Sequence, residues 1–152
     1  MPDDWREPFT NMRFRVEIDG LPETGAVEVI FPEARIVRAS RKGAVARYGS
    51  LTIKRGLSGS PQWYEWWDAA RRSRARLKKN VSIMLLDARG ENAARWLFTD
   101  TKPVAYHVSS LNALGNEPLI ETLELTVGGF RADYEQARLC TPTLPPPAGT
   151  PP

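Results

Sequence analysis

Alternating apolar and polar residues near the start of the chain predict a first β-strand. Met12, Phe14, Val16 and Ile18 are separated by charged or polar residues, which is the two-residue period of a strand that buries one face. Asp19-Gly20 follows as a turn sequence and ends the pattern. This segment therefore predicts a strand with one face in the core and a charged face outside.

Similar patterns recur along most of the chain. Further strands are predicted over residues 27–31, 34–39, 45–55, 81–85, 94–98, 104–108 and 119–127. The turn sequence at residues 87–90 joins two of these segments as a β-hairpin, and Gly128-Gly129 ends the last one. The polar connection at residues 41–43 separates two others. The pattern indicates a domain built mainly from short strands.

One helix is predicted, and it carries three tryptophans. Ser60-Pro61 is a helix start, because serine caps free amide groups and proline fits the first helical turn. Apolar residues then recur with helical spacing, which places Trp63, Trp66 and Trp67 on one buried face. Basic residues gather toward the end, as the helix dipole favours. The pattern predicts a helix over about residues 61–79 that stops near Asn80.

These elements predict a mainly β fold with one α-helix, an antiparallel β-sandwich or split barrel on which the tryptophan face packs. The β domain is predicted over residues 1–134. Residues 135–152 are rich in proline, which neither pairs in a sheet nor continues a helix, so they predict a flexible tail.

The composition fits one globular domain and excludes several protein classes. The chain has 152 residues, of which 41% are hydrophobic and 26% charged. A single cysteine, Cys140, excludes a disulfide scaffold, and no apolar run is long enough to insert into a membrane. The acidic N-terminal sequence lacks the basic and apolar regions of a secretory signal. We therefore expect synthesis in the cytoplasm without a signal peptide.

A basic cluster at the end of the predicted helix leaves two interpretations open. The net charge is only +3, but Arg71, Arg72, Arg74 and Arg76 lie close together. They could bind phosphates of a nucleic acid. The plainer interpretation is a solvated helix face in which Asp68 and Arg72 form an ion pair one turn apart. We favour the second and predict no specific recognition of nucleic acid.

The residues needed for catalysis are scarce. His107 and Cys140 are the chain's only histidine and cysteine, and they predict a surface side chain and an incidental thiol. No metal-ligand spacing and no phosphate-binding glycine loop is present. The sequence therefore predicts no catalytic residue, no metal, no cofactor and no enzymatic activity.

An ordered set of short motifs resembles the tail-tube family of contractile phages and phage-tail-like injection particles. The motifs are Ile18-Asp19-Gly20, the strand LTIKRG at residues 51–56 before Trp66, Asp87 with Gly90, Arg95-Trp96, Pro103, Asn116-Glu117 and the strand IETLEL at residues 120–125. The resemblance covers residues 7–130. It implies a split barrel that closes into a hexameric ring, with inner strands continuous across subunits around a lumen. Stacked rings would form the inner tube of a tail or injection particle.

The resemblance also implies partners and interface residues. The partners are further copies of the chain in stacked rings, sheath subunits, a baseplate hub or spike, a tape-measure protein and cargo in the lumen. The candidates for ring closure are Arg13, Arg15, Glu17, Ile53, Lys54, Thr122, Glu124 and Thr126. The candidates for ring stacking are Arg38, Arg41, Lys42 and Arg47.

Residues 25–50 depart from the family pattern, in a region that contacts the neighbouring ring in the family. Two alternatives to a repeating tube subunit are open, and this departure supports the first of them. The chain could form a specialised first ring that starts the tube on the baseplate hub. It could also be a β-domain adaptor that binds other proteins without forming a tube.

Overall fold

The computed structural model describes residues 13–22, 25–41, 43–72 and 77–134. In those ranges the chain forms nine strands and one helix, which confirms the mainly β prediction. In chain order they are β1 Phe14–Ile18, β2 Ala26–Ile30, β3 Ala34–Ala39, β4 Gly43–Tyr48, β5 Leu51–Gly56, α1 Gln62–Arg72, β6 Lys79–Leu86, β7 Asn92–Val108, β8 Ile120–Thr126 and β9 Gly129–Asp133.

One long strand, β7, belongs to two antiparallel sheets. The first sheet contains β1, β6, the first half of β7 and β9. The second sheet contains the second half of β7, then β8, β5 and β2. The two sheets meet near Asp100, whose φ of 53° bends the strand, and Gly128 packs against this bend. A Cβ at Gly128 would lie 2.8 Å from the Asp100 Cβ, so only glycine fits there without a shift.

The core lies between the inner faces of the two sheets and under the helix. Its largest members come from all three layers: Phe98 from the first sheet, Leu51 and Leu123 from the second, and Trp63 from α1, each with no measurable exposure. The alternating patterns that predicted β1, β6 and β8 arise because each of these strands buries one face in this core.

The structure corrects two predicted boundaries. The segments 94–98 and 104–108 are parts of the single strand β7, because a bulge between Pro103 and Ala105 accommodates the proline without ending the strand. The segment 45–55 instead forms two strands, β4 and β5, separated by Gly49 and Ser50.

The predicted end of the helix at about residue 79 is also wrong. Lys79 begins β6 and pairs with Thr101, whose hydroxyl donates to the Lys79 carbonyl at 2.7 Å. Leu77 lies outside the helix, and its carbonyl accepts a hydrogen bond of 2.7 Å from Trp66 Nε1. Pairing with β7 therefore determines the structure of this segment instead of helical periodicity. Arg74, Arg76, Met12 and the residue 135–152 tail lie outside the described residues.

Within the described ranges, no helix has the length and apolarity to cross a membrane.

Candidate subunit interface

The second sheet has two strands whose outer edges are unpaired among the described residues. At one end, β2 pairs with β5 alone. At the other end, residues 102–108 of β7 pair with β8 alone. Each edge is a row of backbone amide and carbonyl groups that another strand can bind. A sheet with two such edges can join copies of itself side by side.

Most of the predicted ring-closure residues lie elsewhere. Strands β5 and β8 are interior strands, hydrogen-bonded on both sides, so their residues are not at an edge of the second sheet. The five affected residues are Ile53, Lys54, Thr122, Glu124 and Thr126. Ile53 is a core residue with no exposure. Sequence alternation identified these strands correctly but does not reveal the order of strands in a sheet.

The first predicted ring-closure strand has a different position. β1 is the terminal strand of the first sheet and pairs with β6. The polar residues that alternate with the apolar ones in this segment are exposed, as predicted; they are Arg13, Arg15 and Glu17.

The outer face of the second sheet is a polar surface with mixed charges. An open cavity of about 620 Å³ lies on it, lined by Val27, Glu28, Lys54, His107, Ser109, Ile120 and Thr122. Lys54 Nζ lies 3.2 Å from a carboxylate oxygen of Glu28, so these two charges compensate each other. His107 is exposed, as predicted. The described residues contain no cluster of side chains suited to bind a metal ion.

A buried polar network lies on the inner face of the same sheet. Arg55 Nε donates to Glu121 Oε1 at 2.5 Å, and the Tyr106 hydroxyl donates to Glu121 Oε2 at 2.5 Å. Arg55 also donates to the Ser60 carbonyl at 3.1 Å and lies 4.2 Å from the ring centroid of Trp63. Burial, followed by the hydrogen bond to Glu121, raises the pKa of Tyr106 to about 12. The network therefore fixes the start of α1 to strands β5, β7 and β8.

Sequence reasoning missed this network, although a signal was present. Arg55 follows Leu51 and Ile53 in the apolar phase of β5, and Glu121 occupies the apolar phase of β8. Two opposite charges in the buried phases of separate strands indicate a buried ion pair, because a lone buried charge is costly.

An aromatic cluster adjoins the unpaired edge of β7. The ring centroids of Tyr64 and Tyr106 are 5.6 Å apart, and those of Trp67 and Tyr106 are 6.4 Å apart. Trp63 and Trp66 are buried in the core as predicted, whereas Trp67 is half-buried and faces this cluster. Tyr64 is 45% exposed and Val104, on the unpaired edge itself, is 49% exposed. This side of the sheet therefore exposes apolar surface beside free backbone groups.

The hairpin β3–β4 is a separate two-stranded sheet. The ring of Phe31 packs 4.9 Å from Trp96, which anchors the segment that enters the hairpin. The predicted stacking residues Arg38, Arg41 and Arg47 are exposed on it, whereas Lys42 lies outside the described residues.

The basic end of α1 is compensated where the structure describes it. Asp68 lies 2.7 Å from Arg71 Nε and 2.9 Å from Arg72 Nη2. The predicted ion pair between Asp68 and Arg72 is confirmed, which favours a solvated helix face over a phosphate-binding surface.

Comparisons with known proteins agree with this architecture. Residues 10–131 match the family model of the T4-like virus tail tube protein gp19. No curated protein gives a significant match. A chain in the 6-fold symmetrised cryo-EM structure of the anti-feeding prophage baseplate is 24% identical, with a TM-score of 0.61, 84% of this chain covered and 97% of that one.

Two further structures share the fold. A chain in the extended sheath-tube complex of the extracellular contractile injection system PVC is 17% identical, with a TM-score of 0.65 and coverage of 84% of this chain and 92% of that one. Hcp1 from Flavobacterium johnsoniae is 16% identical, with a TM-score of 0.59 and coverage of 80% and 94%. At these identities the likeness concerns the fold.

Proposed function

Since the chain belongs to the family of T4-like virus tail tube proteins, we propose that it closes into a hexameric ring through the two unpaired edges of its second sheet and stacks into the inner tube of a contractile tail or injection particle. The observation that carries the proposal is the presence of these two edges at opposite sides of one sheet. In this assembly the protein has a structural role and no catalytic one.

The edges support a ring because they are different from each other. Contact between β2 of one copy and β7 of the next is heterologous, so every copy offers one edge of each kind. Such contacts form a closed ring when the rotation between copies completes a circle. Exposed Val27 and Ile30 on β2, and Val104 on β7, would lose water at this junction. The ring would thus satisfy the backbone groups that a monomer leaves exposed.

The outer face of the second sheet would then line the lumen. Lys54, Thr122 and Glu124 lie on this face in the interior strands, which gives these three predicted ring-closure residues a place along the channel. Hydroxyl groups and compensated charges suit a channel through which cargo slides without tight binding.

Stacking would use the β3–β4 hairpin with its exposed Arg38, Arg41 and Arg47. Stacked rings would contact sheath subunits outside, a baseplate hub or spike at one end, and a tape-measure protein or cargo in the lumen. The protein would be assembled into such a particle after synthesis in the cytoplasm.

The test is negative-stain electron microscopy with light scattering on the purified protein and three matched variants. Val27→Asp and Val104→Asp place a charge at the two proposed edges, where the side chains are 59% and 49% exposed. Both should abolish rings without unfolding the subunit. Ile36→Asp, at a residue 78% exposed on the hairpin, should leave rings intact.

Each outcome separates the alternatives. Rings that stack support a repeating tube subunit, and single rings that never stack support a first ring on a baseplate hub. A strict monomer at high concentration would contradict closure by the chain alone and favour an adaptor. Normal rings in both edge variants would contradict closure through β2 and β7.

A further inference from the structure

The connection between β7 and β8 exposes two leucines on an ordered turn. Leu111 is 82% exposed and Leu114 is 97% exposed. The side-chain oxygen of Asn112 accepts a hydrogen bond of 3.0 Å from the backbone amide of Leu114. The backbone carbonyl of Asn112 accepts one of 2.9 Å from the backbone amide of Gly115. We refer to residues 109–119 as the leucine turn. Its conformation is set by its own hydrogen bonds, so the leucines are held in water by a defined structure.

The base of the leucine turn is equally well fixed. The Ser109 amide donates to the Ile120 carbonyl at 2.9 Å, and the Ile120 amide donates to the Ser109 hydroxyl at 2.9 Å. These two hydrogen bonds therefore hold the base of the leucine turn in a fixed position relative to strands β7 and β8.

The leucine turn and the β3–β4 hairpin lie at opposite ends of the second sheet. The leucine turn follows Val108 and precedes Ile120, which pairs with Gly56 at the end of β5. The hairpin leaves the sheet after Ile30 and returns at Leu51, at the other end of the same strands. A displacement of one copy along the strands therefore brings its hairpin toward the leucine turn of the next copy.

The hairpin exposes surface to which a partner can bind. Two strands alone are marginally stable in water, and this pair places Arg35 directly opposite Arg47. Glu33 lies 2.7 Å from Arg35 Nε and compensates one of these two charges. Ile36 is 78% exposed and is paired with Ala46. The face of the hairpin that carries Ile36 therefore offers an apolar side chain beside Ala34 and Ala46, with the exposed Arg38 on the same face.

We propose that the leucine turn is the receptor for the β3–β4 hairpin of a second copy in the adjacent ring, with Leu111 and Leu114 packed against Ile36. This inference rests on the proposed function and names the surface that the hairpin contacts. The leucine turn carries one acidic residue, Glu117, and no basic residue, which complements the arginines of the hairpin. Because the two surfaces differ, the contact repeats from ring to ring in one direction.

A second copy fits these observations because both halves of the contact are present in one chain. Each half exposes apolar surface in the part of the chain that the structure describes, and the charges of Glu117 and Arg38 are opposite. A foreign partner at the leucine turn would leave Ile36 and Arg38 of the hairpin exposed.

Covalent trapping tests the contact directly. In a Cys140→Ser background, Ile36→Cys combined with Leu114→Cys should give an oxidation ladder of dimers, trimers and longer chains on denaturing gels. Ile36→Cys combined with Val104→Cys is the matched control, because Val104 lies at the proposed ring junction, and it should give no ladder. Absence of the ladder in the first variant, at a concentration at which rings are present, would overturn the inference.

A second measurement uses exchange of the leucines for serine. Leu111→Ser with Leu114→Ser should lower the amount of stacked tube about ten-fold or more while ring yield is unchanged. Asn116→Ser, on the same turn, should stack like the original protein. Loss of rings in every variant and in the original chain would contradict the proposed function, whereas intact rings that stack normally without the leucines would contradict only this inference.

Discussion

Removal of the charge of Glu121 should destabilise the subunit more than any surface substitution. Its side chain is 1% exposed and is bound to Arg55, which is 6% exposed, and to the Tyr106 hydroxyl. Glu121→Gln keeps the shape of the side chain but leaves the Arg55 guanidinium without a neutralising partner. The perturbation therefore tests whether this buried pair contributes stability.

The magnitude follows from the burial of both groups. Breaking a buried ion pair by changing one partner costs about 3–5 kcal/mol, because the remaining charge is left uncompensated away from water. A domain has about 5–15 kcal/mol of stability in total, so the variant should lose a large fraction of it. Replacement of both partners by apolar residues, as in Arg55→Met with Glu121→Leu, should recover most of the loss. Tyr106→Phe is the matched control and should cost only about 1.5–3 kcal/mol, since the pair itself remains.

Urea denaturation followed by tryptophan fluorescence measures these differences. The protein must be held at one concentration below that of ring formation, because association stabilises the folded state. A Glu121→Gln variant within about 1 kcal/mol of the original chain would refute the reasoning. The reasoning would fail equally if the double variant were no more stable than the single one.

Three further outcomes are expected. The pKa of Tyr106 is raised from the ordinary 10.0 to about 12, so the stability that its neutral hydroxyl contributes is complete below pH 10 and is lost as the pH rises toward 12. In denaturation at several pH values, the stability difference between the original chain and Tyr106→Phe should therefore be smaller above pH 10 than below it. Phe98→Ala should cost about 3–5 kcal/mol in thermal or urea unfolding, because Phe98 has no exposure. Asp68→Asn breaks two ion pairs with arginines more than half exposed and should change unfolding by about 1 kcal/mol or less.

The contrast between β1 and β7 shows how far the sequence predicts the fold. The alternation around Val16 and Ile18 predicts β1 correctly, because one face of that strand is in the core and the other is in water. In β7 the same alternation predicts the two halves of the strand but does not show that they form one continuous strand. The bulge at Pro103 and the left-handed backbone at Asp100 keep the chain in one strand while it passes from one sheet to the other, and neither leaves a periodic signal.

The candidate interface was less predictable than the fold for a related reason. An edge strand and an interior strand with one buried face have the same pattern of side chains, since they differ only in whether backbone groups are paired. Thr122 and Glu124 therefore resembled edge residues although β8 is paired on both sides. The Arg55–Glu121 pair was missed because each charged residue occupies a position at which the alternation predicts an apolar one. Such a residue interrupts the pattern unless its partner on another strand is known.

The position of the buried network indicates why a tube subunit would retain it. A tube that is driven through an envelope must resist bending, and its stiffness depends on how firmly each ring junction is connected to the rest of the subunit. Glu121 holds Tyr106, which lies on the half of β7 with the unpaired edge, and Arg55 holds the Ser60 carbonyl just before α1. The network thus joins the proposed junction strand to the helix and to the core beneath it. Since Phe98 lies in the first half of the same strand, load on the junction would also pass along the backbone of β7 into the first sheet.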